Sequence, residues 1–272
     1  MKKEEKKIED KKDEKALAVQ QPQGTLVPAL NSADFESDAG AGFENMGAND
    51  MAIPFLIILQ SGSPQLKRGE TKIEGASEGD IFNTVTGDFY SGLEGIFVIP
   101  CTYKKSFVEW TPRDSGGGFV RQHDDPAIMG EATKDSTGKD VLPNGNLIVP
   151  TAYHYVLITD PVTGDCSECV ISMTSTQLKK SRKWNSIMNG LKMAKKDGTK
   201  FTPPMFSHIY KITTDPESNE LGAWSGWHIE IYSQVPTLEL YNAAKKFAKD
   251  INDGIVKEAT PQTTTGDDAI PF

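Results

Sequence analysis

The sequence predicts a β-rich α+β body flanked by disordered termini, on three observations. Between residues 51 and 253, short runs rich in Ile, Val, Phe and Tyr alternate with turns containing Gly, Asn and Asp. Two stretches, after Thr174 and after Pro236, carry apolar residues at helical spacing. Residues 1–50 and 254–272 are charged, small or polar and hold too little apolar surface for a core.

The 272 residues suffice for one large domain or two small ones. No apolar run has the length of a membrane span. The opening Met1-Lys2-Lys3-Glu4-Glu5 leads into no apolar segment, so no secretory signal is expected. Three cysteines make no disulfide framework, which points to a reducing cytoplasm. The net charge of −9 is unevenly spread. Residues 51–250 hold 21 Lys/Arg against 23 Asp/Glu, a net −2, so most of the acidity lies outside the body. A near-neutral body with segregated charges still offers a basic groove, and overall acidity does not exclude nucleic acid.

In chain order, residues 1–23 read as solvated and Lys/Glu/Asp-rich, and residues 31–50 as a small, acidic, Gly/Ala-rich stretch with Phe35, Phe43 and Met46 as anchors if it lies over the body as an arm. Ile53 to Gln60 reads as a buried strand. Val-Thr-Gly-Asp occurs at Val85 and again at Val162, and both copies read as β-turns between strands. Gly95 to Tyr103 is a second strand, running on through Lys104 to Trp110. Residues 122–146 read as a long loop. Leu147 to Thr159 and Glu168 to Met173 are further strands. Thr174 and Gln177 have capping-box spacing ahead of a helix whose stripe is Trp184, Ile187, Met188 and Leu191. Met205 to Thr213 and Ala223 to Tyr232 read as strands joined by a Thr214–Leu221 loop. The second helix opens at Pro236-Thr237, has Leu240, Tyr241, Ala244, Phe247, Ala248 and Ile251 as its apolar face, and stops at Gly254. Short strands, long loops and two helices make an OB-like barrel the architecture to test.

Two segments combine charge with aromatic rings, as sequence-independent capture of a single strand requires. Lys104, Lys105, Phe107, Trp110, Arg113, Phe119 and Arg121 alternate the two over one strand and loop. Phe107 and Trp110 are expected to be stacking rings, because charges and glycines flank them, and to share a strand face. From Ser175 to Lys200, eight Lys/Arg (among them Lys179, Lys180, Arg182, Lys183, Lys192, Lys195 and Lys196) face a single acid, Asp197. Solvated helix faces usually mix signs, and this one does not. Phe201 is a ring beside these cations, whereas Trp184, Trp224 and Trp227 read as core.

Catalysis finds no such pattern. Cys166-Ser167-Glu168-Cys169 is a lone CxxC that would need ligands such as Cys101 and His154 to hold zinc. Asp124-Asp125 beside His123 is a single acidic pair, short of a two-metal nuclease site. No Walker loop, dinucleotide fingerprint or nucleophile elbow is present. Neither a metal, a cofactor nor an enzymatic activity is expected.

A Thr/Gln run leads into Gly266-Asp267-Asp268-Ala269-Ile270-Pro271-Phe272. Two carboxylates, an apolar pair, a proline and a Phe form a docking peptide whose proline lowers the entropy lost on capture. Asp267, Asp268, Ile270, Pro271 and Phe272 carry the pattern Asp-Asp-x-Ile-Pro-Phe. That pattern resembles the acidic C-terminal tip of bacterial single-stranded DNA-binding proteins. A larger body with such a tail looks like a bacteriophage single-stranded DNA-binding protein. The resemblance implies a role in phage DNA replication, recombination and repair in the cytoplasm of the bacterial host. It also implies single-stranded DNA as ligand and host or phage helicases, primase and recombination enzymes as partners of the tip, with no membrane. It favours the OB-like barrel as well. Two rival readings are a protein without DNA affinity that occupies host docking pockets with its tip, and a nuclease recruited by the tail.

Overall fold

The computed structural model describes residues 32–46, 51–220 and 222–255. The chain divides into two compact units, Met1–Asn45 and Met46–Phe272. In the first, the described residues form one short helix, α1 (Ser32–Glu36), followed by turns, and Phe35 and Phe43 are exposed. Met46, in the second, is exposed as well.

The second unit is built on one curled sheet. Its strands are β1 (Phe55–Ile58), β2 (Ile81–Asn83), β3 (Phe89–Tyr90), β4 (Ile96–Thr111), β5 (Gly118–His123), β6 (Thr133–Lys134), β7 (Asp140–Val141), β8 (Leu147–Thr159) and β9 (Cys166–Thr174). After helix α2 (Leu178–Gly190) come the hairpin β10 (Met193–Ala194) and β11 (Lys200–Phe201), then β12 (His208–Asn219), β13 (Gly222–Gln234) and helix α3 (Leu238–Asn252). The main order is β13-β12-β4-β8-β9-β1-β2-β3, with β5 added to β4 and β6-β7 to β8. Every pairing is antiparallel except β1 with β9.

The axis is β4 against β8, paired from Val98↔Ile158 to Trp110↔Leu147. Pro100 lies inside this ladder and has no N–H to donate, and the register slips between Pro100 and Thr102. Either side of that bulge β4 takes a different second neighbour: Ile96 to Val98 pair with β12, and Phe107 to Thr111 with β5. The sheet therefore curls into a half-barrel. Alternation gives it two apolar faces. On one, α3 buries Leu240, Ala244, Phe247, Ala248 and Ile251 with Ile99, Tyr155 and Val170. On the other, α2 buries Trp184 and Met188 with Val98, Val156, Ile171 and Tyr210.

Local chemistry explains most element ends. The two Val-Thr-Gly-Asp copies adopt the same turn: Asn83 and Asp160 accept from the N–H groups two and three residues on, and Gly87 and Gly164 take φ of 78° and 82°. Helix α3 is capped by Thr237, whose Oγ1 accepts from Leu240 N at 3.3 Å, and Gly254 at φ 71° follows its end. The capping box before α2 does not form. Thr174 ends β9, Ser175 to Gln177 make a 3-10 turn, and the Gln177 side chain reaches β12 and β13 instead. Strand β12 also runs through the expected Thr214–Leu221 loop, pairing as far as Asn219↔Gly222.

Residues 122–146 hold more structure than expected. The end of β5, a 3-10 turn at Pro126–Gly130 and the two-residue strands β6 and β7 pack Ile128, Met129 and Ala132 against Phe107, Leu142 and Ile148. Two-residue strands are too short to show alternation, so no sequence pattern announces them. A buried carboxylate secures this lobe. Glu109, 1% exposed, accepts from Asn144 and Asn146 Nδ2 on Oε1 at 2.8 and 2.6 Å, while Arg121 Nε and His123 Nε2 sit 2.9 and 2.8 Å from Oε2. Burial pushes its pKa up, but the bonds from Asn146, Arg121, Asn144 and His123 outweigh that and hold it at about 2.

A group whose folded pKa lies below its ordinary value of 4.5 stabilises the fold above that value, and the contribution fades as pH falls toward about 2. The difference corresponds to roughly 3 kcal/mol at 1.36 kcal/mol per unit. Urea titrations of wild type and Glu109→Gln should show a stability gap above pH 5 that closes toward pH 2. A gap independent of pH would remove the Glu109 carboxylate from this role.

Candidate nucleic-acid interface

The β4–β5 cations and rings do not form one surface. Phe107 and Trp110 are three residues apart, an odd number, so strand alternation puts them on opposite faces. Phe107, 5% exposed, packs with Leu142 and Ile148; Trp110, 8% exposed, lies in the α3-side core with an edge-on contact to Phe119 at 5.9 Å. Neither ring is open to a base. Lys104 is half-buried, donates to Ile251 O at 3.1 Å, and so satisfies a carbonyl at the negative end of α3. Arg121 exposes most of its side chain yet gives its Nε to Glu109. Lys105 is exposed, 5.4 Å from the Phe107 ring, and Arg113 is exposed in a 3-10 turn.

The second segment holds together. On α2 the buried residues are Ser181, Trp184 and Met188, which turns Lys179, Arg182 and Lys183 outward. Ser181 Oγ lies 2.8 Å from Nε2 of fully buried His154, whose ring stacks on Trp184 at 4.5 Å. Trp184 is core, as its place in the stripe predicts. The chain then forms the β10–β11 hairpin, pairing Met193 with Phe201 and Ala194 with Lys200, which sequence patterning did not reveal. Its turn is closed by Lys195 N to Thr199 O at 2.8 Å and Gly198 N to Lys195 O at 3.0 Å. Asp197, the segment's one acid, accepts from Thr199 N and Oγ1. Those bonds hold its carboxyl below the usual range and commit it to the turn. Lys192 is exposed and donates to Thr202 Oγ1. Lys195, Lys196 and Lys200 are exposed, and Phe201 is 37% exposed beside them.

Among the described residues, Lys180 is the one cation of these eight in an ion pair, with Glu217 of β12. Glu217 Oε2 also accepts from Trp224 Nε1 at 2.8 Å and Gln177 Nε2 at 3.3 Å. Partial burial pushes Glu217 up, but the bonds from Lys180 and Trp224 prevail and keep it below the usual carboxylate range. The cluster fits because residue 226 is glycine: a Cβ there would lie 2.7 Å from Gln177 Nε2 and Lys180 Nζ. Trp224, expected in the core, is only half-buried, while Trp227 at 3% exposed is core. The signal that separates them is register, since Trp224 faces Glu217 near the tip of the hairpin.

The residues weighed for catalysis serve elsewhere. Asp124 accepts from Ser106 Oγ, Asp125 caps a 3-10 turn, and His123 meets Glu109. Cys101 and Cys169 lie in the cores on different sheet faces, and Cys166 is exposed. The described residues include no group of three His, Cys, Asp or Glu able to hold a metal. Nor do they include a helix long and apolar enough to cross a membrane. The tip residues Asp267, Asp268, Ile270, Pro271 and Phe272 lie outside the described residues.

Phe107→Ala and Trp110→Ala should each cost about 3–5 kcal/mol in urea denaturation, as deletions of buried aromatic rings do. Unchanged midpoints would return the rings to the surface.

No curated protein and no solved structure matches the chain. A family model described as Pam3 phage gp34-like protein matches residues 21–257, which include the whole sheet and both α2 and α3. The chain belongs to the Pam3 phage gp34-like protein family.

Proposed function

We propose that this phage-family protein binds single-stranded DNA without sequence choice during phage replication and recombination, in the cytoplasm of the bacterial host, and performs no catalysis itself. The observation that carries the reading is the unneutralised cationic strip along α2 and the β10–β11 hairpin: Lys179, Arg182, Lys183, Lys195, Lys196 and Lys200 are exposed and, among the described residues, lack an acidic partner. Such a strip suits a phosphate backbone, whose capture is driven by counterion release and weakens steeply with salt. The curled half-barrel is compatible with an OB-like barrel left open on one side. The β4–β5 stretch adds the exposed Lys105 as secondary charge.

The C-terminal tip supplies the second half of the proposal. Its resemblance to the bacterial tip favours recruitment of helicases, primase and repair enzymes through Ile270, Pro271 and Phe272. Asp267 and Asp268 are opposite in charge to the α2 strip and would compete with DNA for it until a strand displaces them.

Oligo-dT binding across salt tests the first half. Lys179→Ala/Arg182→Ala/Lys183→Ala should lower the slope of log affinity against log salt by about 2, at roughly 0.7 per phosphate contact. Wild-type protein that does not bind oligo-dT at low salt would leave a tip-bearing decoy for docking pockets, and metal-dependent cleavage of the strand would indicate a nuclease. Deleting Gly266 to Phe272 should leave strand affinity equal or tighter and abolish partner recruitment. Weaker strand binding after that deletion would overturn the competition.

A further inference from the structure

A groove of about 340 Å³ opens where the N-terminal turn of α2 meets the far end of the β12–β13 hairpin, lined by Thr176, Lys179, Glu217, Ser218, Asn219 and Trp224. That volume lies at the small end of ligand sites, which run from about 300 to 1,000 Å³. Three features show a built site rather than a crease between elements. Trp224 is held by its own N–H, which donates to Glu217 Oε2 at 2.8 Å, so the ring is fixed in orientation while remaining half-exposed. The Glu217 charge is neutralised by Lys180, which leaves Lys179 as the groove's uncompensated charge. The junction is also strained: Ser175, next to Thr176, has φ 44°, the one positive value outside glycine among the described residues. That turn brings Gln177 over β13, where its Oε1 accepts from Trp227 N at 3.1 Å. Strain of this kind persists only where surrounding bonds hold it in place.

We infer that this groove receives one nucleobase of the bound strand, stacked on Trp224 with its phosphate toward Lys179. The chemistry selects the occupant. A fixed indole offers a flat face to any base, an ammonium answers a phosphodiester, and the hydroxyls of Thr176 and Ser218 suit the polar edge of a base. The groove would then form one end of the cationic strip, with Phe201 on the β10–β11 hairpin toward the other. The 13 residues of α2 between them span roughly 20 Å at 1.5 Å per residue.

The inference rests on the single-strand reading, and tryptophan fluorescence separates the two. The protein has four tryptophans, of which Trp110, Trp184 and Trp227 are buried. Titrating full-length protein with oligo-dT should therefore quench emission through Trp224. Trp224→Ala should abolish the quench and weaken binding roughly 5- to 150-fold, the range for loss of one stacked base. Trp224→Phe should retain most of the affinity, and Lys179→Ala should keep the quench while shifting it to higher oligo-dT. A quench or affinity unchanged in a folded Trp224→Ala protein overturns the groove and leaves strand binding standing. If wild type does not bind oligo-dT, the strand reading fails. Thymidine monophosphate then decides the groove: Trp224-dependent quenching sustains a nucleotide site, and none overturns it.

Discussion

Pro100 cannot donate a hydrogen bond, yet it lies in β4, inside the ladder with β8 that forms the axis of the sheet. The chain meets that constraint with a bulge at Cys101, after which the β4–β8 ladder resumes at Thr102↔Tyr155. Because the strand bends there, it need not carry the same second neighbour along its 16 residues. Ile96 to Val98 are left to β12 and Phe107 to Thr111 to β5, and the sheet curls between them. Strand alternation gives the curled sheet its two apolar faces, one covered by α3 and the other by α2.

Two carboxylates with opposite consequences organise the charges around this frame. Glu109 is buried and draws in Arg121, His123, Asn144 and Asn146, so it converts the β5 cation Arg121 into scaffold. Removing one member of such a network costs more than forming it contributes, because a buried ion is left uncompensated. Glu217 is only partly buried and takes one lysine, Lys180, from α2. It ties the helix to the β12–β13 hairpin and fixes Trp224, while the neighbouring Lys179, Arg182 and Lys183 stay exposed. The β4–β5 region is thus rich in charge but largely committed, and the α2 region is comparably charged and mostly uncommitted.

Linear sequence revealed the long elements because they need only their own periodicity. The apolar run of β8, the stripes of α2 and α3, the Thr237 cap and both Val-Thr-Gly-Asp turns are local, and each appears where the residues place it. It failed where bonding partners are remote. Gln177 has capping-box spacing with Thr174, yet its bonds go to Glu217 and Trp227, 40 and 50 residues away. Phe107 and Trp110 are flanked by charges and glycine, which suggests exposure, but the lobe of residues 122–146 covers Phe107 and Trp110 packs into the α3-side core.

The sequence by itself determined the β-rich class, the two long helices and the unmixed sign of the Ser175–Lys200 cations, because propensity, periodicity and charge are properties of neighbours along the chain. It also carries the Asp-Asp-Ala-Ile-Pro-Phe tip, a pattern complete in six residues. Tertiary structure decided which of those charges and rings remain free. Burial and ion pairing depend on what the sheet brings alongside: Glu109 claims Arg121 across β5, Lys180 goes to Glu217, and Trp224 rather than Trp110 remains half-exposed beside Lys179. That selection arises from strand register, which pairs residues far apart in sequence and shows in no local window.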